Sequence, residues 1–135
     1  MKKIPSDSRM KANLTHVSGT IIRLEFVNES DSPMYLDPWK TITREGRPAS
    51  GECCFYFDPS ANYKGALIKR IPYTSNDQLT IINPGQQLLS VEYDLSEDYD
   101  ISRAGSVRVQ YGASHTTRGV EYGLWWVESN WVDLF

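Results

Sequence analysis

Few residues in this chain have the types and spacings that carry out catalysis. The two histidines, His16 and His115, lie in polar contexts, and neither belongs to a His-Glu-x-x-His segment, which binds zinc from one helix face. The sequence also lacks a Gly-x-Ser-x-Gly nucleophile elbow, a Gly-x-Gly-x-x-Gly turn and a Walker phosphate-binding loop. We therefore expect no catalytic residues, no metal and no cofactor, and we interpret the chain as a binding protein rather than an enzyme.

The most informative segment is an acidic run within residues 91–111, V-E-Y-D-L-S-E-D-Y-D-I-S-R-A-G-S-V-R-V-Q-Y. Clustered carboxylates bind calcium in some proteins, but this spacing does not match an EF-hand loop. We interpret the run as a corner between two strands, with at most a helical turn near residues 95–100 capped by Asp94. A tyrosine in such a corner bonds nearby backbone. The predicted structural corner consists of Asp94, Tyr99, Asp100 and Gly105.

Aromatic and basic side chains supply the candidate contacts with a partner. Trp125 and Trp126 are adjacent, so on a strand their rings point to opposite faces, and one ring is expected to be exposed or covered by another element. Exposed tryptophans are enriched in binding hot spots. A group of basic residues has two readings, a solvated sheet edge or a cationic patch for an acidic partner. That group consists of Arg44, Arg47, Lys64, Lys69 and Arg70.

Composition places the chain among single-domain proteins without a nucleic-acid or membrane partner. Its 135 residues suffice for one core, and its net charge of −3 gives no basic field for nucleic acid or anionic lipid. The adjacent cysteines, Cys53 and Cys54, rarely bridge each other, which fits a reducing compartment. Because M-K-K-I is followed by a polar segment, we expect a cytoplasmic location, or a periplasmic or secreted one if a leader was removed.

Short alternating runs between turn residues predict the fold. The run T-I-I-R-L-E-F-V at 20–27 alternates apolar and polar positions, and Asn83-Pro84-Gly85 is a strong turn signal. About eight or nine such strands, without a sustained helical face, predict one all-β, immunoglobulin-like antiparallel β-sandwich. We place a flexible arm at 1–12 and the single domain at 13–135, closed by two strands that a Glu128-Ser129-Asn130 break separates.

Four segments follow a pattern known from one protein family. They are F-V-N-E-S-D-S-P-M-Y-L-D-P-W at 26–39, Y-K-G-A-L-I-K-R-I-P at 63–72, N-P-G-Q at 83–86 and D-L-S-E-D-Y-D-I-S-R-A-G-S-V-R-V-Q-Y at 94–111. This pattern resembles the non-catalytic N-terminal β-sandwich domain of bacterial deuterolysin-type, peptidyl-Lys zinc metallopeptidases. The resemblance covers about residues 19–113, and the zinc ligands of the family have no counterpart here.

The resemblance implies a function through a partner. In the family this domain accompanies a protease domain as a pro-region, whereas these 135 residues contain no protease domain. A stand-alone copy implies a proteinaceous inhibitor or an immunity protein that binds such a metallopeptidase. A carbohydrate-binding or adhesion module and a self-associating structural module stay open as alternatives. The expected partner contacts are Tyr63, Lys64, Lys69, Arg70, Trp125 and Trp126.

Overall fold

The computed structural model describes residues 10–37, 41, 54–64, 79–89, 92–102, 105–115 and 125–135. These residues form eleven strands and a 3-10 helix, Leu95–Glu97. Within this part of the chain, no helix has the length and apolar character needed to cross a lipid bilayer. The strands are β1 (Met10–Ser18), β2 (Ile21–Asn28), β3 (Met34–Leu36), β4 (Phe55–Asp58), β5 (Asn62–Tyr63), β6 (Thr80–Ile82), β7 (Gln87–Leu89), β8 (Tyr93–Asp94), β9 (Tyr99–Asp100), β10 (Arg108–His115) and β11 (Trp125–Asp133).

The predicted all-β fold is confirmed, and so is the helical turn in the acidic corner. Seven strands form one sheet in the order β4-β10-β11-β1-β2-β7, with β8 also paired to β2. The sheet is mixed rather than wholly antiparallel, because β1 pairs antiparallel with β2 but parallel with β11. Two small sheets, β3-β6 and β5-β9, complete the described architecture.

The seven-stranded sheet folds over into two facing layers. Strands β4 and β8 are five steps apart along the sheet, which is about 24 Å at the usual strand spacing. The rings of Phe55 on β4 and Tyr93 on β8 are nevertheless only 5.6 Å apart, centroid to centroid. A flat sheet cannot produce this contact. One layer therefore contains β4, β10 and β11, the other contains β1, β2, β7 and β8, and the core lies between them.

Alternation along the strands fills this core. In β2 the buried side chains are Ile22, Leu24 and Phe26, as the sequence predicts. The Phe26 ring meets the Tyr111 ring of β10 edge-on at 5.6 Å, which joins the two layers through an aromatic contact. Burial of these large apolar side chains supplies the main free energy that holds the layers together.

Strand β1 begins earlier than the sequence analysis expects. The predicted arm extends to Ala12, but β1 starts at Met10, so residues 10–12 belong to the sheet. Met10 and Ala12 are both buried, in alternation with Lys11. Their pairing with Asn28 and Phe26 of β2 supplies the tertiary contact that a polar N-terminal sequence does not reveal.

Strand β11 is continuous where the sequence predicts a break. Between Gln110 and Gly112 the pairing register with β11 shifts, so Ser129 and Asn130 together oppose Tyr111 in a β-bulge. The Tyr111 backbone N–H donates to Ser129 Oγ at 2.9 Å. The Asn130 side chain accepts from the Leu14 N–H at 2.8 Å and donates to the Leu14 carbonyl at 3.0 Å. These side chains satisfy backbone groups within a strand instead of forming a turn.

Asn28 anchors the end of β2. Its side-chain amide donates to the carbonyls of Ser32 and Ile82 at 2.9 and 2.8 Å, and its Oδ1 accepts from the Ser30 N–H at 2.9 Å. The Asn28 backbone carbonyl accepts from the Gly85 N–H at 2.9 Å. Gly85 has a φ of 75°, which the predicted Asn-Pro-Gly turn requires of its third residue. The fully buried Asn28 therefore ties two turns together.

Candidate functional site

The outer face of the β4-β10-β11 layer carries a row of aromatic side chains. Alternation along β10 places Arg108, Gln110 and Gly112 on the side opposite the core residues Val109 and Tyr111, and Trp126 and Tyr56 cover Gly112 there. Gln110 lies between Tyr56 of β4 and Trp131 of β11 in the pairing register, and directly opposed residues share a face. We call this surface the aromatic face. It consists of Tyr56, Arg108, Gln110, Gly112, Trp126, Glu128 and Trp131.

Trp126 lies across the backbone of Gly112. A Cβ atom built on Gly112 would be only 2.8 Å from Cζ2 of Trp126 and 3.1 Å from Cε2 of Tyr56. The absence of a side chain at position 112 thus lets the indole settle onto the strand. The Trp126 and Tyr56 ring centroids are 6.2 Å apart, and Trp126 Nε1 donates to Glu128 Oε2 at 2.9 Å. Two contacts therefore fix the half-buried indole.

The side chain of Arg108 lies over the ring of Trp131. The Arg108 guanidinium carbon lies 4.8 Å from the centroid of the Trp131 ring, within the range of a cation–π interaction. Arg108 also donates from Nε and Nη2 to Asp58 Oδ2, at 3.2 and 3.1 Å. Trp131 is 40% exposed, so this arrangement lies at the surface.

The aromatic face and its margin are acidic. Asp58, Glu128 and Asp133 are exposed on β4 and β11, and Arg108 is the one cation on these three strands among the described residues. The sum of these charges is 1 − 3 = −2. Glu128 forms no ion pair with any residue that the structure describes. This surface favours ligands that combine positive charge with apolar or aromatic area.

The predicted corner is an interlocked turn. Asp94 is the N-cap of the 3-10 helix, and its Oδ1 accepts from the Ser96 N–H at 3.0 Å and from the Ser96 hydroxyl at 2.7 Å. The Thr20 hydroxyl also donates to Asp94 Oδ1, at 2.6 Å. The predicted capping role of Asp94 is confirmed, and the same carboxylate joins the corner to the turn between β1 and β2.

Tyr93, next to the corner, makes a buried hydroxyl contact with it. The Tyr93 hydroxyl donates to Asp98 Oδ2 at 2.7 Å, and burial together with this bond raises the pKa of Tyr93 above its ordinary value of 10.0. Tyr99 is buried and packs its ring against Phe57 at 4.9 Å. The backbone hydrogen bond predicted for Tyr99 stays a prediction.

The last two predicted corner residues lie at the surface. Asp100 is exposed in β9, opposite Asn62 of β5. Gly105 is exposed, and a Cβ added there would meet nothing within 4 Å. Among the described residues, none would be in contact with a side chain at position 105 within 4 Å of its Cβ.

His115 is buried, although the sequence placed both histidines in polar surroundings. Its Nδ1 accepts from the Asp37 backbone N–H at 2.9 Å, so the proton of the neutral ring is on Nε2. Nε2 lies 2.9 Å from the Tyr111 hydroxyl, which makes the two side chains one buried polar pair. Burial raises the pKa of the Tyr111 phenol well above 10.0. The two side chains therefore hydrogen-bond to each other within the core, and neither is exposed to solvent.

The predicted partner-binding residues do not form one described surface. Tyr63 packs its ring against Tyr99 at 5.3 Å, on the core side of β4, and Lys64 is exposed beside it. Trp126 lies on the aromatic face, on the outer side of the same layer. Trp125 begins β11, and only its backbone is described. Lys69 and Arg70 lie outside the described residues.

Sequence reasoning missed most of the aromatic face. The available signal was the run R-V-Q-Y-G-A-S-H, in which alternation places Arg108, Gln110 and Gly112 on one side. A glycine within a strand pattern also indicates close approach by another group. The aromatic partner of that glycine, Tyr56, comes from a strand more than fifty positions away in sequence, and pairing of this kind leaves no local signal.

The described residues include no cluster of three or more histidine, cysteine, aspartate or glutamate side chains arranged to hold a metal ion. Cys54 is buried and does not form a disulfide, while Cys53 lies outside the described residues. No protein-family model matches the chain, and no curated protein matches it. The resemblance to the metallopeptidase-associated domain therefore stays a prediction.

Proposed function

We propose that this chain is a non-enzymatic binding protein that inhibits a deuterolysin-type zinc metallopeptidase, as a proteinaceous inhibitor or an immunity protein. The observation that carries the proposal is that the acidic run, which contains the family's most specific motif, forms an ordered corner between strands. The D-L-S-E-D-Y-D segment, the most specific part of the resemblance, forms the corner in which Asp94 and Asp98 bond to other segments of the chain. The family pattern thus falls on residues that position strands.

The proposed mode of inhibition is coverage of the active cleft rather than chemistry. A rigid sandwich presents loops and one sheet face at little entropic cost, which favours tight association. The all-β fold, the interlocked corner and the exposed aromatic face support a binding role of this kind. A shared fold does not fix function, so the proposal must be tested on the partner itself.

The test mixes the purified chain with the catalytic domain of a deuterolysin-type metallopeptidase. We expect a one-to-one complex in size-exclusion chromatography and loss of proteolysis at equimolar inhibitor. A zinc metallopeptidase of the His-Glu-x-x-His type with a different fold serves as the specificity control and should keep its activity. Absence of a complex, with proteolysis unchanged, would refute the proposal.

Alanine substitutions then locate the contacts. The residues to replace singly are Tyr63, Lys64, Lys69, Arg70, Trp125 and Trp126. A contact at the centre of the interface should cost more than about 2 kcal/mol of binding free energy, whereas a rim contact should cost less than about 1 kcal/mol. Asp100→Ala, an exposed change in the corner, is the matched control and should leave the affinity unchanged.

A further inference from the structure

Two tryptophan–carboxylate arrangements lie on the aromatic face, and among the described residues a cation lies on the first of them alone. In the first, the Arg108 guanidinium covers Trp131 and bonds to Asp58. In the second, Trp126 bonds to Glu128, and no described cation lies on either side chain. The first arrangement shows, within this molecule, a guanidinium group held by an indole ring and a carboxylate.

We propose that Trp126, Tyr56 and Glu128 form an acceptor site for the guanidinium or ammonium group of a lysine or arginine side chain on a protein partner. The inference rests on the proposed function only in taking the ligand to be part of a protein. It concerns a surface that the cationic patch predicted from the sequence does not include.

The electrostatics of the face favour a basic ligand. A cation near an indole ring is attracted by the negative face of the ring, and Trp gives the strongest such attraction. Glu128 adds a carboxylate at the edge of the same ring, at 2.9 Å from Nε1. The net charge of −2 on the three strands extends this attraction beyond the contact itself. Added salt screens such exposed charges, so the affinity must fall as ionic strength rises.

The site is also held in place before a ligand arrives. The indole rests on Gly112, is bounded by the Tyr56 ring and is bonded to Glu128, so little side-chain freedom is lost on binding. Gly112 and Tyr56 belong to paired strands rather than to loops. An aromatic side chain held in place on a strand is the type of residue that dominates protein interfaces.

The probe for this site is the peptide acetyl-Gly-Arg-Gly-amide, titrated into the full chain while NMR follows the Trp126 indole N–H resonance and the backbone N–H resonance of Gly112, which the variants at position 126 keep. The control peptide contains citrulline in place of arginine, which keeps the shape and removes the charge. We expect a saturable shift with the arginine peptide, a much smaller one with the citrulline peptide, and weaker binding as salt is added.

Variants assign the binding to the named side chains. Glu128→Gln keeps an oxygen for Trp126 Nε1 but removes the charge, and Trp126→Leu removes the aromatic ring. Each should weaken binding of the arginine peptide by roughly two- to thirtyfold. Trp126→Phe should restore part of the loss. Glu97→Gln removes an exposed carboxylate from the corner and should change nothing.

Several results would overturn the inference. Equal shifts with the arginine and citrulline peptides would exclude a cation site. A shift produced by a neutral oligosaccharide, with arginine inactive, would make the face a glycan-binding surface. Dimerisation that Trp126→Leu abolishes, without arginine binding, would assign the face to a second copy of the chain.

The outcome is separable from that of the proposed function. If the metallopeptidase complex forms and the arginine peptide gives no larger shift than the citrulline peptide, the cation site is refuted and the inhibitor role stands. If the arginine peptide binds as described but no metallopeptidase does, the inhibitor role is refuted and the cation site stands.

Discussion

An alanine at position 112 tests whether the Trp126 indole rests on the β10 backbone. The new Cβ would lie 2.8 Å from Trp126 Cζ2, whereas ordinary van der Waals contact begins at 3.4 Å. The indole must therefore move by at least 0.6 Å, the difference between these distances. The Cβ would also lie 3.1 Å from Tyr56 Cε2. Both atoms belong to side chains rather than to the backbone, so the rings can move while the strand stays in place.

The stability cost follows from what the displaced ring loses. The Tyr56–Trp126 pair is worth about 0.5–1.5 kcal/mol, and the Trp126–Glu128 hydrogen bond about 0.5–1.5 kcal/mol. Replacing glycine by alanine within a strand returns roughly 0.5–1 kcal/mol, because the unfolded chain has less freedom to lose. The net expectation for Gly112→Ala is a loss of about 1 kcal/mol in unfolding free energy, with a decrease of about 4 °C in Tm.

Urea unfolding measures this loss, and the Trp126 indole resonance reports the movement of the ring. Gly105→Ala is the matched control, because a Cβ at position 105 meets nothing within 4 Å, and it should be neutral or slightly stabilising. If the two variants had equal stability and the Trp126 resonance did not move, the seating of the ring on Gly112 would be wrong. A loss above about 4 kcal/mol would show that the ring cannot move aside.

Three further predictions concern the fold. Asn28→Ala removes the buried amide and should lower the free energy of unfolding in urea by about 3–5 kcal/mol. The control Asn62→Ala changes an exposed residue and should lower it by less than about 0.5 kcal/mol. Equal losses would contradict the anchoring role of Asn28. Because the folded state keeps Tyr93 protonated, the free energy of unfolding should fall as pH rises above 10.0. Tyr93→Phe should flatten this decline by about 1.4 kcal/mol per pH unit. An unchanged slope would refute the raised pKa of Tyr93. Asn130→Ala removes both hydrogen bonds to β1 and should cost about 1–2 kcal/mol by thermal unfolding, and an unchanged Tm would argue against that bridge.

The parts of the fold that depend on local patterns could be predicted from the sequence. Alternation in β2 identified the buried side chains, and the Asn83-Pro84-Gly85 signal identified a turn that the positive φ of Gly85 makes possible. The capping role of Asp94 also followed from local chemistry, because a short polar side chain before a helical turn accepts from the backbone two or three residues later.

The parts that depend on distant pairing could not be predicted in this way. Ser129 and Asn130 have the composition of a turn, but their side chains bond to Tyr111 and Leu14, which no local pattern reveals. The aromatic face has the same origin, since Tyr56 and Trp126 meet over Gly112 only after three strands have paired. The sequence pointed to Trp126 as a contact but gave no information on its neighbours.

The parallel pairing of β1 with β11 has a consequence for biosynthesis. Leu14 bonds to Asn130, which the ribosome adds 116 residues later. Until then the edge of β1 that pairs with β11 has no partner strand. Closing so large a loop is slow, so we expect the two layers to dock only after β11 has left the ribosomal tunnel. Until then we expect the apolar face of β1 to be accessible to chaperones and proteases. Premature termination before residue 125 would therefore be expected to yield a chain that is degraded rather than a smaller folded protein.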